Sequence, residues 1–203
     1  MRVFVIHDLR RDDAELILCE RELQRQGITE YGIWPAITSG CEVVADCIAM
    51  SHKNVIRQAQ EMELDEVCVM ESDVWFPGKG AWDYFLRHIP TEYDIYSAGD
   101  YRQLEELRRH ASFRKSLRGP ATVYKTDRLA GLHCYIMHRN YFDTFLQSPA
   151  GHIDIAQDGR GLFRICYPFA ALQRESWSAN NRKKVDYNSE ILKADVFNGF
   201  AEA

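Results

Sequence analysis

Hydrophobic and polar positions change period several times along this chain, and each change predicts an element. Arg2 to His7, rich in Val, Phe and Ile, reads as a first strand followed by a polar turn from Asp8 to Asp13. Ala14 to Gln26 carries Leu16, Leu18, Cys19 and Leu23 at near-helical spacing and is closed by Gly27, a common helix stop. Ile28 to Ile37 reads as a second strand bent at Pro35. From Val44, apolar or small residues recur at Ile48, Ser51, Val55, Ala59 and Met62, which fits one face of a helix. The helix leads into an apolar run that ends in acids.

Further on, Pro77-Gly78-Lys79-Gly80 is a turn and Ala81 to His88 a short helix. Strands are expected at Tyr93 to Ala98, Ala121 to Tyr124, Leu132 to Met137 and Phe163 to Tyr167, with a helix through Tyr141 to Leu146. Tyr101 to Gly119 is polar with a helical stretch. Helices and strands alternate for most of the length, so an α/β layered sheet is favoured. With 203 residues and no repeat or linker, one domain over 1–203 is expected.

An apolar fraction of 46% and a charged fraction of 27% suit a folded globular chain. A net charge of −5 argues against general nucleic-acid binding. Arg2, His7 and Asp8 interrupt any signal-peptide core and no apolar run is long enough to span a membrane, so the expected location is the cytosol. Cys19, Cys41, Cys47, Cys68, Cys134 and Cys166 show no zinc-type spacing and are expected as reduced thiols.

The candidate chemistry begins at Leu64 to Phe76, where an apolar strand ends in Glu71-Ser72-Asp73 and then becomes apolar again. Desolvating a carboxylate costs several kcal/mol unless a cation or hydrogen bonds compensate it. Ligands of open α/β sheets bind at the carboxyl ends of strands, where such acids can hold a hard divalent cation carrying a phosphorylated substrate. The plainer alternative is that they solvate a loop.

Several short motifs occur together in order. They are Ile6-His7-Asp8-Leu9-Arg10-Arg11, Ala49-Met50-Ser51-His52, Glu71-Ser72-Asp73, Gly131-Leu132-His133-Cys134-Tyr135, Ile153-Asp154, and Pro168 with Gln173 followed by Ser176 and Ser178. In this series the chain resembles glycosyltransferase family 25, which includes lipooligosaccharide and collagen-type galactosyltransferases. It departs from the family at Ser72, where the middle acid of a triplet stands, at Cys47 and Ile48 before the helix motif, and at His7 in place of Asn.

The resemblance implies a GT-A type fold, a Rossmann-like mixed sheet with helices on both faces. It also implies inverting transfer of a sugar, galactose by default, from a nucleotide-sugar donor such as UDP-galactose to a glycan or lipid-linked glycan. Mn²⁺ or Mg²⁺ would lie between the donor diphosphate and Glu71 and Asp73. Arg10, Arg11, Ser51, His52, His133 and Gln173 become donor-site candidates, and Asp154 the candidate base, with Asp158 and Asp100 as alternatives.

Each has a structural alternative. A His in a strand is usually a hydrogen-bonded core residue, a Ser on a helical stripe bonds back one turn, and an Asp before a polar stretch caps a helix. Paired arginines at a helix start are commonly surface groups. The basic run from Arg102 to Arg128 is either a solvated face or a loop that closes on the donor or grips an anionic acceptor or membrane surface. Trp75 and Trp82 either pack in the core or stack on a sugar. Two rival functions stand beside the transferase: a degenerate, non-catalytic binder of nucleotide sugars or a partner, and a metal-dependent phosphohydrolase.

Overall fold

The computed structural model of the protein describes residues 1–10, 13–101, 112–115, 122–178, 181, 183–187, 196, 197 and 199. Its frame is a mixed sheet of eight strands in the order β2-β1-β3-β8-β5-β9-β7-β6. These are β1 (Arg2–His7), β2 (Gly32–Pro35), β3 (Glu66–Glu71), β5 (Ile95–Ser97), β6 (Ser112–Lys115), β7 (Thr122–Thr126), β8 (Cys134–His138) and β9 (Phe163–Tyr167). β1, β2 and β3 run parallel, so their carboxyl ends share one edge of the molecule. β8 inserts antiparallel between β3 and β5, pairing Glu66 with His138 and Met70 with Cys134.

Helices cover both faces, which is why β1 and β3 read as continuous apolar runs. Phe4, Ile6, Val67 and Val69 face α2 (Val44–Glu61) and α4 (Phe142–Leu146), packing with Val55, Ile56, Ala59, Phe142 and Phe145. The alternating Val3, Val5, Cys68 and Met70 face α1 (Asp13–Arg25) and α3 (Ala81–Arg87), packing with Cys19, Leu23, Trp82 and Phe85. Each large apolar side chain so buried contributes about 1.5–3 kcal/mol.

α1 stops where Gly27 takes a φ of +77°. Its N–H reaches Gln24 O at 3.0 Å and that of Ile28 reaches Leu23 O at 2.9 Å, the two bonds of a Schellman cap. Ile28 is consumed by this cap, so the second strand is shorter than its apolar pattern. The apolar face of α2 keeps Ser51, Val55 and Ala59 of the expected stripe but is wider than it. Val44 and Met62 at its ends are exposed, and the buried face extends through Ala45, Ala49, His52 and Ile56, where alanines let the helix approach the sheet.

Four short strands carry no readable pattern: β4 (Val74–Trp75) with β10 (Leu172–Gln173), and β11 (Ser176–Ser178) with β12 (Lys183–Val185). Most of the expected polar helical stretch at Tyr101 to Gly119 lies outside the described residues, apart from Tyr101 itself and strand β6. The expectation of six reduced thiols is corrected. Cys41 and Cys47 form a disulfide, their Cα atoms 5.7 Å apart where the loop before α2 folds back on its first turn. Cys19, Cys68, Cys134 and Cys166 are buried free thiols.

Candidate active site

A cavity of about 460 Å³ opens at the shared carboxyl ends of β1, β2 and β3. Among its lining residues are Arg10, Ser51, His52, Glu71, Asp73, Asp154 and Gln173. Seven candidates scattered from position 10 to position 173 therefore meet at one place. His133 is not among the lining residues, and Arg11 lies outside the described residues.

The acids are the electrostatic centre. Glu71 ends β3, and its Oε1 contacts His52 Nε2 at 3.2 Å, while His52 Nδ1 meets the Tyr135 hydroxyl at 3.0 Å. Asp73 Oδ2 accepts from Ser176 Oγ at 2.7 Å. Gln173 Nε2 donates to both acids, to Glu71 Oε2 and, at 3.1 Å, to Asp73 Oδ1. The two-residue ladder of β4 and β10 makes this possible by pairing Gln173 with Val74. Burial and the Glu71 carboxylate push the Asp73 carboxyl up to about 7, although bonds from Ser176 and Gln173 pull the other way.

The sequence departures at positions 72 and 7 meet in space. Ser72 Oγ donates to Glu15 Oε1 at 2.8 Å and lies 3.0 Å from His7 Nδ1. Because the hydroxyl proton goes to the carboxylate, the imidazole must be the donor to Ser72. Glu15, on α1, reaches the cavity in this way.

Asp154 caps the 3₁₀ turn Ile155–Gln157, with Oδ1 accepting from Ile155 N–H and Oδ2 from Gly131 N–H, each at 2.9 Å. Gly131 is required there: its φ is +92°, and a Cβ would lie 2.2 Å from the Tyr101 ring. Ser51 Oγ donates to Cys47 O and accepts from Ile37 N–H, both at 2.8 Å. Arg10 is held by Asp8 through two 3.0 Å bonds and reaches Thr38 O at 3.1 Å, with its guanidinium largely exposed. Asp8 raises its pKa further through this hydrogen bond.

His133 lies behind Tyr101, the ring centroids 5.0 Å apart, and donates Nε2–H to Ala171 O at 3.0 Å. Burial lowers its pKa. Asp100 accepts from Ala130 N–H at 3.2 Å, Asp158 pairs with Arg128 at 3.9 Å, and neither lines the cavity. Trp75 and Trp82 pack with the core.

Sequence reasoning missed Glu15, Tyr101, His152 and Tyr187, which also line the cavity. Tyr101 and Tyr187 stack with centroids 4.9 Å apart. None of these had a local signal, since Glu15 has the appearance of an ordinary acid in a first helical turn.

Two carboxylates and a cavity of this size suit a hard cation bound together with a larger anion. Among the described residues no group of three His, Cys, Asp or Glu side chains is arranged to hold a metal by itself. No helix among them is long and apolar enough to cross a membrane.

No family model matches the chain, and no curated protein sequence does, so family 25 remains a resemblance of motifs. Among solved structures, one superposes at the level of the fold and others do so more weakly. A197 from STIV superposes with a TM-score of 0.50 at 16% identity, covering 91% of this chain and 93% of that one. The Drosophila β-1,4-galactosyltransferase 7, solved with manganese, UDP-Gal and xylobiose, gives 0.45 at 12% identity, covering 98% and 76%. HddC from Yersinia pseudotuberculosis, in complex with GMP-PN, gives 0.44 at 11%, covering 85% and 93%. Likeness at these identities concerns architecture alone, and the architecture is a mixed α/β sheet with helices on both faces, as expected for a GT-A type fold.

Proposed function

We propose that the protein is an inverting glycosyltransferase that moves a sugar, galactose by default, from a UDP-sugar to a glycan or lipid-linked glycan. The observation that carries this reading is the convergence of Glu71 and Asp73 on one cavity at the carboxyl ends of parallel strands. Two acids this close, one of them deeply buried, favour a positive charge between them, and Mn²⁺ or Mg²⁺ fits their oxygen chemistry. When bound, such a cation supplies Lewis-acid neutralisation of the charge that builds on the departing diphosphate.

The chain's own groups do the rest. Arg10 offers an exposed guanidinium on the same wall, suited to diphosphate oxygens. Asp154 is held at the cavity edge by two backbone amides, and each of its oxygens keeps a lone pair for an acceptor hydroxyl. In this role it takes the acceptor's proton as the new glycosidic bond forms. His52 holds Glu71 from behind rather than facing a ligand alone. A peripheral association with a membrane surface fits a lipid-linked acceptor.

Turnover of UDP-galactose and other UDP-sugars with and without EDTA tests the reading. Activity that survives both chelation and Asp73→Asn removes the cation. One observation favours a second reading, a binder without catalysis: both Asp154 oxygens already serve the backbone. Calorimetric UDP binding without transfer or donor hydrolysis across acceptors selects that reading. Phosphate release from simple phosphoesters selects the hydrolase.

A further inference from the structure

Gln173 stands at the point where the two acids converge. Its Nε2 donates to Glu71 Oε2 and to Asp73 Oδ1, and its Oε1 accepts from the Tyr101 hydroxyl. The partners fix the orientation of the amide: an ionised Glu71 only accepts, so the –NH₂ end must face it. The remaining oxygens are occupied as well. Glu71 Oε1 belongs to His52, and Asp73 Oδ2 to Ser176. Each acid thus gives one oxygen to a fixed neighbour and the other to a single shared –NH₂.

We propose that Gln173 is an internal stand-in for the cation, holding the place between Glu71 and Asp73 that a divalent ion takes, and that the ion must displace it. This rests on the reading of those acids as cation ligands. An amide –NH₂ has no lone pair to give a metal, so Gln173 in this pose competes with the ion and cannot ligate it. The competition has a use. It lowers the cost of placing two acids together within a buried wall, and it makes a bare ion bind less readily than one that arrives with diphosphate oxygens. Tyr101 is the latch, because its hydroxyl holds the other end of the same amide and its ring is fixed between His133 and Tyr187.

The test is Mn²⁺ affinity, measured by calorimetry and by the loss of the free-Mn²⁺ resonance signal, with and without UDP. Gln173→Met keeps the length of the side chain and removes its donors. It is expected to bind Mn²⁺ about tenfold more tightly than the wild type, equivalent to about 1.4 kcal/mol, while the metal-free protein unfolds at a lower temperature. Equal or weaker Mn²⁺ binding by Gln173→Met overturns the stand-in, and weaker binding would make Gln173 a ligand through Oε1. A wild type that binds no Mn²⁺ under either condition overturns the cation reading itself, which keeps the two failures distinct. Should Gln173→Met not fold, Tyr101→Phe releases the latch and leaves the amide in place. It is expected to tighten Mn²⁺ several-fold, and no change there also sinks the proposal.

Discussion

The two walls of the cavity solve the same problem in opposite ways. On the wall where Ser51 and the Cys41–Cys47 disulfide tie the loop after β2 to the first turns of α2, polar groups are satisfied by backbone or covalently: Asp154 by two amides, Ser51 by Ile37 N–H, and Cys41 by Cys47. On the wall built by β3 and β10, two acids face each other with the Gln173 amide between them and with His52 and Ser176 on their other oxygens. A carboxylate held by fixed amides is a structural part. One held against another acid is suited to binding positive charge, as proposed above. Substitutions in the first wall should therefore register in stability, and those in the second in ligand affinity and pH response.

The largest effect is expected at Asp73. Asp73→Asn should reduce cation-dependent transfer on the order of 10²-fold or more and weaken Mn²⁺ binding. Stability should move differently. With a folded pKa near 7 against an ordinary 3.8, Asp73 keeps a proton in the folded state that the unfolded chain has already lost. Stability therefore declines as pH rises from about 4 to about 7 and levels off above that. Asp73→Asn should remove this slope, and saturating Mn²⁺ should oppose it in the wild type by favouring the ionised acid. Denaturant titrations across that range measure both, and a variant with the wild-type slope would exclude Asp73 as its source.

Asp154 sharpens the comparison because it belongs to the satisfied wall yet is the proposed base. Asp154→Asn retains one carbonyl acceptor and so keeps part of the capping. It should lower turnover by about 10²–10⁴-fold, and because its –NH₂ then faces one of the two backbone N–H groups, stability should fall by about 1 kcal/mol. Asp154→Ala should add a stability loss of about 1 kcal/mol. Full turnover in Asp154→Asn would leave the residue a cap and nothing more.

What was legible in the sequence follows the same division. β1, α1, β3 and β9 could be read to within a residue or two because their apolar runs are buried on both faces or stop at a clear cap. The cluster of Glu71, Asp73, Ser51, His52 and Asp154 was legible as a set of motifs, but their contacts were not. Gln173 reaches Glu71 through a ladder of two residues per strand, too short to leave a periodic trace. Glu15 looked like an ordinary acid in a first helical turn, and nothing local connects it to Ser72. The disulfide was hidden because a six-residue separation matches no metal or redox spacing. The orientation of β8 was not readable either, since an apolar run has the same appearance in either direction.

Within the tied wall the disulfide should matter more than any single hydrogen bond. Closing so short a loop restricts the unfolded chain by about 2 kcal/mol. Reductant should accordingly lower the unfolding midpoint of the wild type and leave that of Cys41→Ser unmoved. If reductant shifts both equally, the bridge contributes nothing to this wall.

The smallest effect is expected at Ser51, whose hydroxyl joins the exit of β2 to the first turns of α2. Ser51→Ala leaves the partly buried Ile37 N–H without its acceptor and frees the Cys47 carbonyl, for a loss of about 1 kcal/mol. Ser51→Thr keeps the oxygen and should recover most of that loss, provided the added methyl is accommodated at this packed helix face. Because Ser51 also lines the cavity, donor affinity measured on both variants separates its two roles. A loss of affinity that tracks stability and is rescued by Thr identifies a strut, and the wall then acts only by holding its shape. A loss in Ser51→Ala that exceeds the stability change would make the hydroxyl a direct donor contact, and the division between a structural wall and a binding wall would no longer hold at this position.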